Sequence, residues 1–389
     1  MSTAERYDEI FGDLEPPFAF IDLDAIRENA RVMLAAAAPK PIRIASKSVR
    51  SRELLRTLLD SDPGFGGLLN LTLPEALWLH GHGFRDLVVA YPSVERSALV
   101  ALARLDPVTA PVIMVDCTEQ LDLIAGTGVR VAIDLDVGFW PLGGRVKFGP
   151  KRSPIRTPEA AGRLAAEIER RPGVELVGVM AYEGHIAGVA DRVPHRALEN
   201  LAIRAMKHFS ATDVRERRGA MVAAIREHAE LCFVNGGGTG SIAQTVAEAA
   251  VTEVAAGSGF YAPMLFQYYR GFRLQPAAGY ALALNRRPGR GVITALGGGY
   301  VASGATRADR QPVPAWPVGL SLDPLEGAGE AQTPLVGAAA DGMSIGGRVY
   351  MRHAKAGELC ERFNTLQVID NHALAGEMAT YRGEGQAFL

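Results

Sequence analysis

Six lysines stand against thirty-five arginines in this chain, and one of them, Lys47, follows directly on the apolar run Ile42-Arg-Ile-Ala-Ser46. A lysine amine at the end of a buried strand is partly desolvated, which lowers its pKa and suits it to Schiff-base chemistry. Two glycine-rich stretches add a second chemistry. Asn235-Gly-Gly-Gly-Thr-Gly-Ser241 closes one strand-like run and leads into a helical pattern, and Ala256-Gly-Ser-Gly259 closes the next. Glycines let backbone amides approach an anion, a following helix N-terminus favours it, and the Thr and Ser hydroxyls add donors, so the pair reads as a phosphate cradle. Neither stretch fits GxxxxGK(S/T) or GxGxxG, which argues against a nucleotide. A phosphate together with a Schiff-base lysine points to pyridoxal phosphate. Tyr182 and His185, in Tyr182-Glu-Gly-His185, close a further run, and an imidazole there would relay a proton near neutral pH.

The elements that must position these residues alternate short apolar runs with helical patterns. After Phe18-Ala-Phe-Ile-Asp22 and a helix over about 24–38, eight runs predict strands: Ile42–Ser46, Gly67–Asn70, Leu87–Tyr91, Val112–Asp116, Val129–Asp136, Leu176–Tyr182, Leu231–Asn235 and Thr252–Ala256. Helical patterns such as Pro158–Arg171 and Ser241–Ala249 lie between them. The count and period match an α/β chain folded as a (β/α)8 TIM-type barrel, whose strand C-termini face the active site. A doubly wound open sheet competes, since a strand count does not show closure. From Pro263 onward helical periodicity gives way to Gly/Pro turns between short runs such as Gly291–Leu296 and Arg348–Arg352, which predicts a mostly β C-terminal domain.

Composition excludes several other classes. The 389 residues are 48% hydrophobic and 22% charged, as in globular proteins, and 41 basic against 43 acidic residues leave a net charge of −2. No electrostatic footprint for nucleic acid or an anionic membrane results. Neither a signal-peptide pattern nor an apolar run long enough for a membrane span occurs. Cys117, Cys232 and Cys360 are too far apart for a disulfide framework or a CxxC knuckle, so a reducing cytoplasm is expected.

Several motifs occur in a telling order: Phe18-Ala-Phe-Ile-Asp-Leu-Asp-Ala-Ile-Arg-Glu-Asn29, Ala45-Ser-Lys47, Asp134-Leu-Asp-Val-Gly138, Tyr182-Glu-Gly-His185 and the 236–241 loop. In this the chain resembles fold-type III pyridoxal phosphate enzymes, the alanine racemase N-terminal-domain superfamily. Within it the chain is most similar to the D-threonine aldolase and D-serine dehydratase branch, including bacterial relatives labelled amino acid deaminase/aldolase. The resemblance implies a cofactor-binding barrel over about 24–262 and a β domain over 263–389, joined by about 1–23. It also implies a homodimer in which the partner helps close each site. Lys47 would carry the cofactor, and Gly238, Thr239, Gly257 and Ser258 would hold its phosphate. Tyr182 would face the cofactor ring, with His185 as proton carrier. The family's arginine near the cofactor's phenolic oxygen would be served by Lys147 or Arg145 in Phe139-Trp-Pro-Leu-Gly-Gly-Arg-Val-Lys147.

The activity implied is a lyase acting on a small amino-acid substrate, a β-hydroxy amino acid of D configuration, by aldol cleavage or by dehydration and deamination. An amino-acid racemase is the alternative enzyme, with Tyr300 or Tyr350 as a second proton carrier. A non-catalytic pyridoxal phosphate carrier is the alternative of another class, and the residues after Pro263 argue against it. Relatives of this branch bind a divalent ion through a His-x-Cys or His-x-Asp pair in the β domain. Here Arg352–Asn364 holds no such pair; Glu358-x-Cys360 with His353 is the nearest set. The expectation is no catalytic metal, with His353 and Glu358 forming a polar wall facing the substrate.

Overall fold

The computed structural model describes residues 3–124, 128–141, 144–305 and 308–388. Eight parallel strands close into a barrel: Ile42–Ala45, Phe65–Asn70, Leu87–Pro92, Val112–Val115, Val129–Asp134, Val174–Ala181, Phe233–Gly236 and Glu253–Ala256. Closure comes from the first strand pairing with the eighth, Ile42 opposite Val254 and Ile44 opposite Ala256, which rules out the open sheet. Alternation along each strand sorts the side chains into two cores. Ile42, Ile44, Leu68, Val131, Val179 and Val254 point outward beneath the helices. Leu69, Val88, Met114, Ala132, Met180 and Phe233 point inward and fill the barrel. Gly178 makes that filling possible, since a Cβ there would lie 2.3 Å from the Phe233 ring. Arg43, also inward, forms a buried two-point ion pair with Glu253 at 2.6 and 2.8 Å.

A second sheet of nine strands is mostly antiparallel. Its main path runs Ser321–Leu322, Gln332–Val336, Val292–Leu296, Ala278–Gly289, Phe18–Asp22, Thr365–Asp370, Ala373–Ala379. Arg348–Arg352 pairs with Ala278–Gly289 and with Val313–Trp316. Phe18–Asp22 lies inside this sheet, antiparallel to Ala278–Gly289 and parallel to Thr365–Asp370. Asp22 then turns the chain into the barrel's first flanking helix, Leu23–Ala37, by accepting from the Ala25 amide at 3.0 Å.

One helix departs from its predicted bounds, and a second, long one takes up the polar stretch before the seventh barrel strand. Ser241–Ala249 shortens to Ile242–Val246, and Glu248 beyond its end reaches the buried Arg218 at 2.5 Å. Ala197–Arg226 is a single helix of 30 residues, with His208 inside it and His195 and His228 flanking it. An unexpected helix, Thr3–Phe11, packs Tyr7 and Phe11 against Phe20, Tyr350 and Trp316. Among the described residues no helix is long and apolar enough to cross a membrane.

Candidate active site

The strand Ile42–Ala45 ends in a single turn, Ser46–Ser48, that lifts Lys47 to the C-terminal mouth of the barrel. There Lys47 lines a cavity of about 190 Å³ with Tyr91, Asp134, Arg152, Tyr182 and both glycine loops. Its Nζ donates to the Tyr91 hydroxyl at 2.9 Å. Burial alone would make Tyr91 a weaker acid, but the charges of Lys47 and Arg152 outweigh it and bring the phenol below its ordinary pKa. Asp134 ends the fifth barrel strand and is pushed up to about 7, first by burial, with Asp116 and Asp136 adding to the shift and Arg152 opposing it. Lys47, Tyr91 and Asp134 are therefore three proton-carrying groups on one cavity wall.

The two glycine loops meet beside them. Gly257 sits on the Lys47 strand so closely that a Cβ would lie 2.6 Å from the Ala45 carbonyl oxygen. Gly238 faces Tyr182 and Ala187, where a Cβ would approach within 3.1 and 3.2 Å. Gly237 adopts φ +78, a left-handed conformation that suits glycine. The Gly259 amide donates to Thr239 Oγ1 at 3.1 Å, and Ser258 Oγ donates to Ser48 Oγ at 3.2 Å, so three hydroxyls and bare backbone share one pocket end. Behind the first loop, the buried Glu183 accepts from the Gly237 amide at 3.1 Å, Ser241 Oγ at 2.7 Å, and Thr245 Oγ1. Arg218, wholly buried, donates to Glu183, to Glu248 and to the Ala181 carbonyl.

Other expected site residues lie elsewhere. Lys147 turns away from the cavity to pair with Asp136 at 2.7 Å, and Arg145 is exposed; both line a neighbouring basin with Lys151 and Arg156. The reason is a bridge between Phe139 and Phe148 that doubles the loop back on itself. Leu142 and Gly143 of that stretch lie outside the described residues. From this stretch it is Arg152 that reaches the Lys47 cavity, laid over the Tyr91 and Tyr182 rings at 5.1 and 5.5 Å. Tyr182 lines the cavity, its phenol raised to about 12 by burial. His185 is not a lining residue. It occupies the turn Gly184–Ala187 beneath Gly149, with neither ring nitrogen bonded, and burial pushes its pKa down to about 4.

His353 and Glu358 line a separate cavity with Tyr300 and Arg362, and Lys355 lines both that cavity and the Lys47 one. Tyr350 is sealed in its own sheet, donating to Asp8 at 2.7 Å. The set His353, Glu358, Cys360 does not fit a divalent ion. Glu358 accepts from the Ser303 amide and Cys360 Sγ lies 3.4 Å from the Val49 carbonyl beside Tyr261, which leaves His353, its two nitrogens buried without partners, as the one open donor of the three. Among the described residues no three His, Cys, Asp or Glu side chains gather as a metal site.

A closed parallel barrel joined to a mostly antiparallel sheet, with an amine and glycine loops at the strand ends, is the architecture of fold-type III pyridoxal phosphate proteins. Residues 21–263 match the family described as alanine racemase, N-terminal domain, and the chain belongs to that family. Among solved structures it is similar to D-threonine aldolase from Filomicrobium marinum, with 19% identity over 97% of each chain and a TM-score of 0.77. It is also similar to D-threo-3-hydroxyaspartate dehydratase from Delftia sp. HT23, with 19% identity over 94% of this chain and 98% of that one and a TM-score of 0.70. Alanine racemase from Corynebacterium glutamicum gives 16% identity over 87% and 90% and a TM-score of 0.56. At these identities the likeness is one of fold. No curated protein matches the chain.

The residues present fit pyridoxal phosphate. Gly257 and Gly238 leave a cradle that any Cβ would fill, the hydroxyls of Ser48, Thr239 and Ser258 surround it, and Lys47 supplies the amine.

Proposed function

We propose that this chain is a pyridoxal phosphate-dependent lyase acting on β-hydroxy amino acids of D configuration. The observation that carries the reading is the cavity joining the Lys47 amine to two bare glycine loops. The aldolase and dehydratase names of two fold relatives support the lyase assignment. When bound, the cofactor supplies an electron sink for negative charge at the substrate's Cα. Lys47 would hold it, with Gly238, Thr239, Gly257 and Ser258 donating to its phosphate. Arg152 would supply the positive charge expected of Lys147 or Arg145. Its guanidinium, stacked on the Tyr91 and Tyr182 rings, would orient an anionic group of the ligand. Protons at the reacting end would be held by Lys47, Tyr91 or Asp134, since these line the cavity and His185 does not. The apolar lining from Leu69, Ala90 and Met180 would exclude water.

We further propose that the enzyme works as a homodimer, and that it does so in a reducing cytoplasm; the three free cysteines support the second reading. Incubation of the cofactor-loaded protein with D- and L-threonine, serine and 3-hydroxyaspartate tests the activity. Aldehyde, keto acid, ammonia and loss of optical rotation are assayed separately. Aldehyde indicates aldol cleavage, keto acid with ammonia indicates dehydration, and racemisation alone would overturn the lyase reading.

A further inference from the structure

The turn after the strand Arg348–Arg352 is held against the cofactor cavity from two sides. Met264 and Leu265 donate their amides to the His353 and Ala354 carbonyls at 3.0 and 3.3 Å, and Leu265 lines the cavity. On the other side Gly357, at φ +87, rests on Lys47 itself: a Cβ there would lie 2.4 Å from the Lys47 carbonyl oxygen. Lys355 stands between these anchors and lines the Lys47 cavity. Its ammonium donates to Ser303 Oγ at 3.2 Å, and among the described residues no carboxylate pairs with it. Glu358, on the same turn, accepts instead from the Ser303 amide at 2.9 and 3.1 Å. A half-buried cation that lines a ligand cavity and makes no direct ion pair, with Glu358 held instead on the Ser303 amide, is a site for an oxygen carried by the ligand.

The position of this lysine matters as much as its surroundings. His353-Ala-Lys355 places an ammonium two residues after the histidine, where a second metal ligand of the His-x-Cys or His-x-Asp kind would be expected. An ammonium repels a divalent ion, yet it brings fixed positive charge and three donors of its own.

We propose that Lys355 takes the place of a divalent ion, its ammonium holding the β-oxygen of the substrate. The proposal rests on the reading of the chain as a lyase for β-hydroxy amino acids. It makes Lys355 a specificity-determining residue and makes the reaction independent of metal.

Two amino-acid pairs test it, D-threonine against D-2-aminobutyrate and D-threo-3-hydroxyaspartate against D-aspartate, the members of each pair differing only in the β-hydroxyl. Binding to the loaded protein is followed by the change in cofactor absorbance, and metal content by elemental analysis of protein purified without chelator. The expected wild-type result is no stoichiometric metal and, in at least one pair, about a tenfold or greater preference for the hydroxylated member. K355M should lose that preference while keeping wild-type cofactor content and thermal stability, and K355R should keep part of it. About one metal per chain, or an undiminished preference in K355M, would overturn the proposal and leave the lyase reading standing. A wild-type protein that binds neither pair would instead overturn the lyase reading.

Discussion

The two walls of the Lys47 cavity are built on opposite plans. The glycine-loop wall is backed by Glu183, Arg218 and Glu248, all buried and each bonded to another. The wall continuing into the 145–156 stretch carries Arg145, Lys151, Arg152 and Arg156, all exposed, and of its five cations only Lys147 pairs with a carboxylate among the described residues. Buried charges are costly to leave unpaired, whereas exposed ones contribute little to stability. The first wall is fixed before any ligand arrives. The second keeps its charges for whatever enters.

The sharpest break in this contrast is at the residue between the walls. Lys47→Ala should remove the borohydride-reducible cofactor completely, read as loss of visible absorbance after reduction and dialysis. Next comes Arg218→Met, which leaves Glu183 and Glu248 buried without their cation. We expect it to destabilise the apo protein by about 3–5 kcal/mol in denaturant unfolding. A loss below about 1 kcal/mol would show that the wall is not braced as described.

Asp134→Asn tests the seam by pH. Its pKa near 7 lies above the ordinary 3.8, so between those values the folded chain holds a proton that the unfolded chain has lost. Wild-type stability therefore carries this contribution in full below about pH 4 and loses it as pH rises through 7. The asparagine variant should be more stable than wild type by about 2–4 kcal/mol at pH 8, with the gap closing at pH 4. A gap that is the same at both pH values would refute the assignment. Thr239→Val, which removes one hydroxyl, should weaken cofactor binding by about 1–3 kcal/mol in equilibrium titration. Smallest of all, Lys151→Ala should change stability by less than about 0.5 kcal/mol, the mark of a solvated charge.

The barrel was readable because its strands are dense in Val, Ile and Leu, and all eight runs overlap observed strands. The long helix Ala197–Arg226 reads only as polar helical stretches around Lys207, His208 and His228, because its buried positions include Asn200, Ser210 and Arg218 and its buried apolar ones begin only at Val214. Lys47 and the glycine loops stood out by type and place. Tyr91 and Asp134 end strands just as Lys47 does, so the rule that singled out the lysine, applied to every strand, would have found them. Arg152 was missed for a different reason. Distance along the chain favours Lys147, and only the Phe139–Phe148 bridge, invisible in one sequence, brings the later residue to the cavity.

The placement of Phe18–Asp22 has a consequence for how the chain comes together. The segment is made early, yet both strands that flank it, Ala278–Gly289 and Thr365–Asp370, emerge only after the whole barrel has been synthesised. During synthesis its five buried residues must wait as an unpaired edge, a state prone to association with other chains. The barrel is in effect an insertion between the first strand of a sheet and the rest of it. Removing that strand should therefore harm the sheet it completes, whose other strands lie far along the chain, more than the barrel that follows it in sequence.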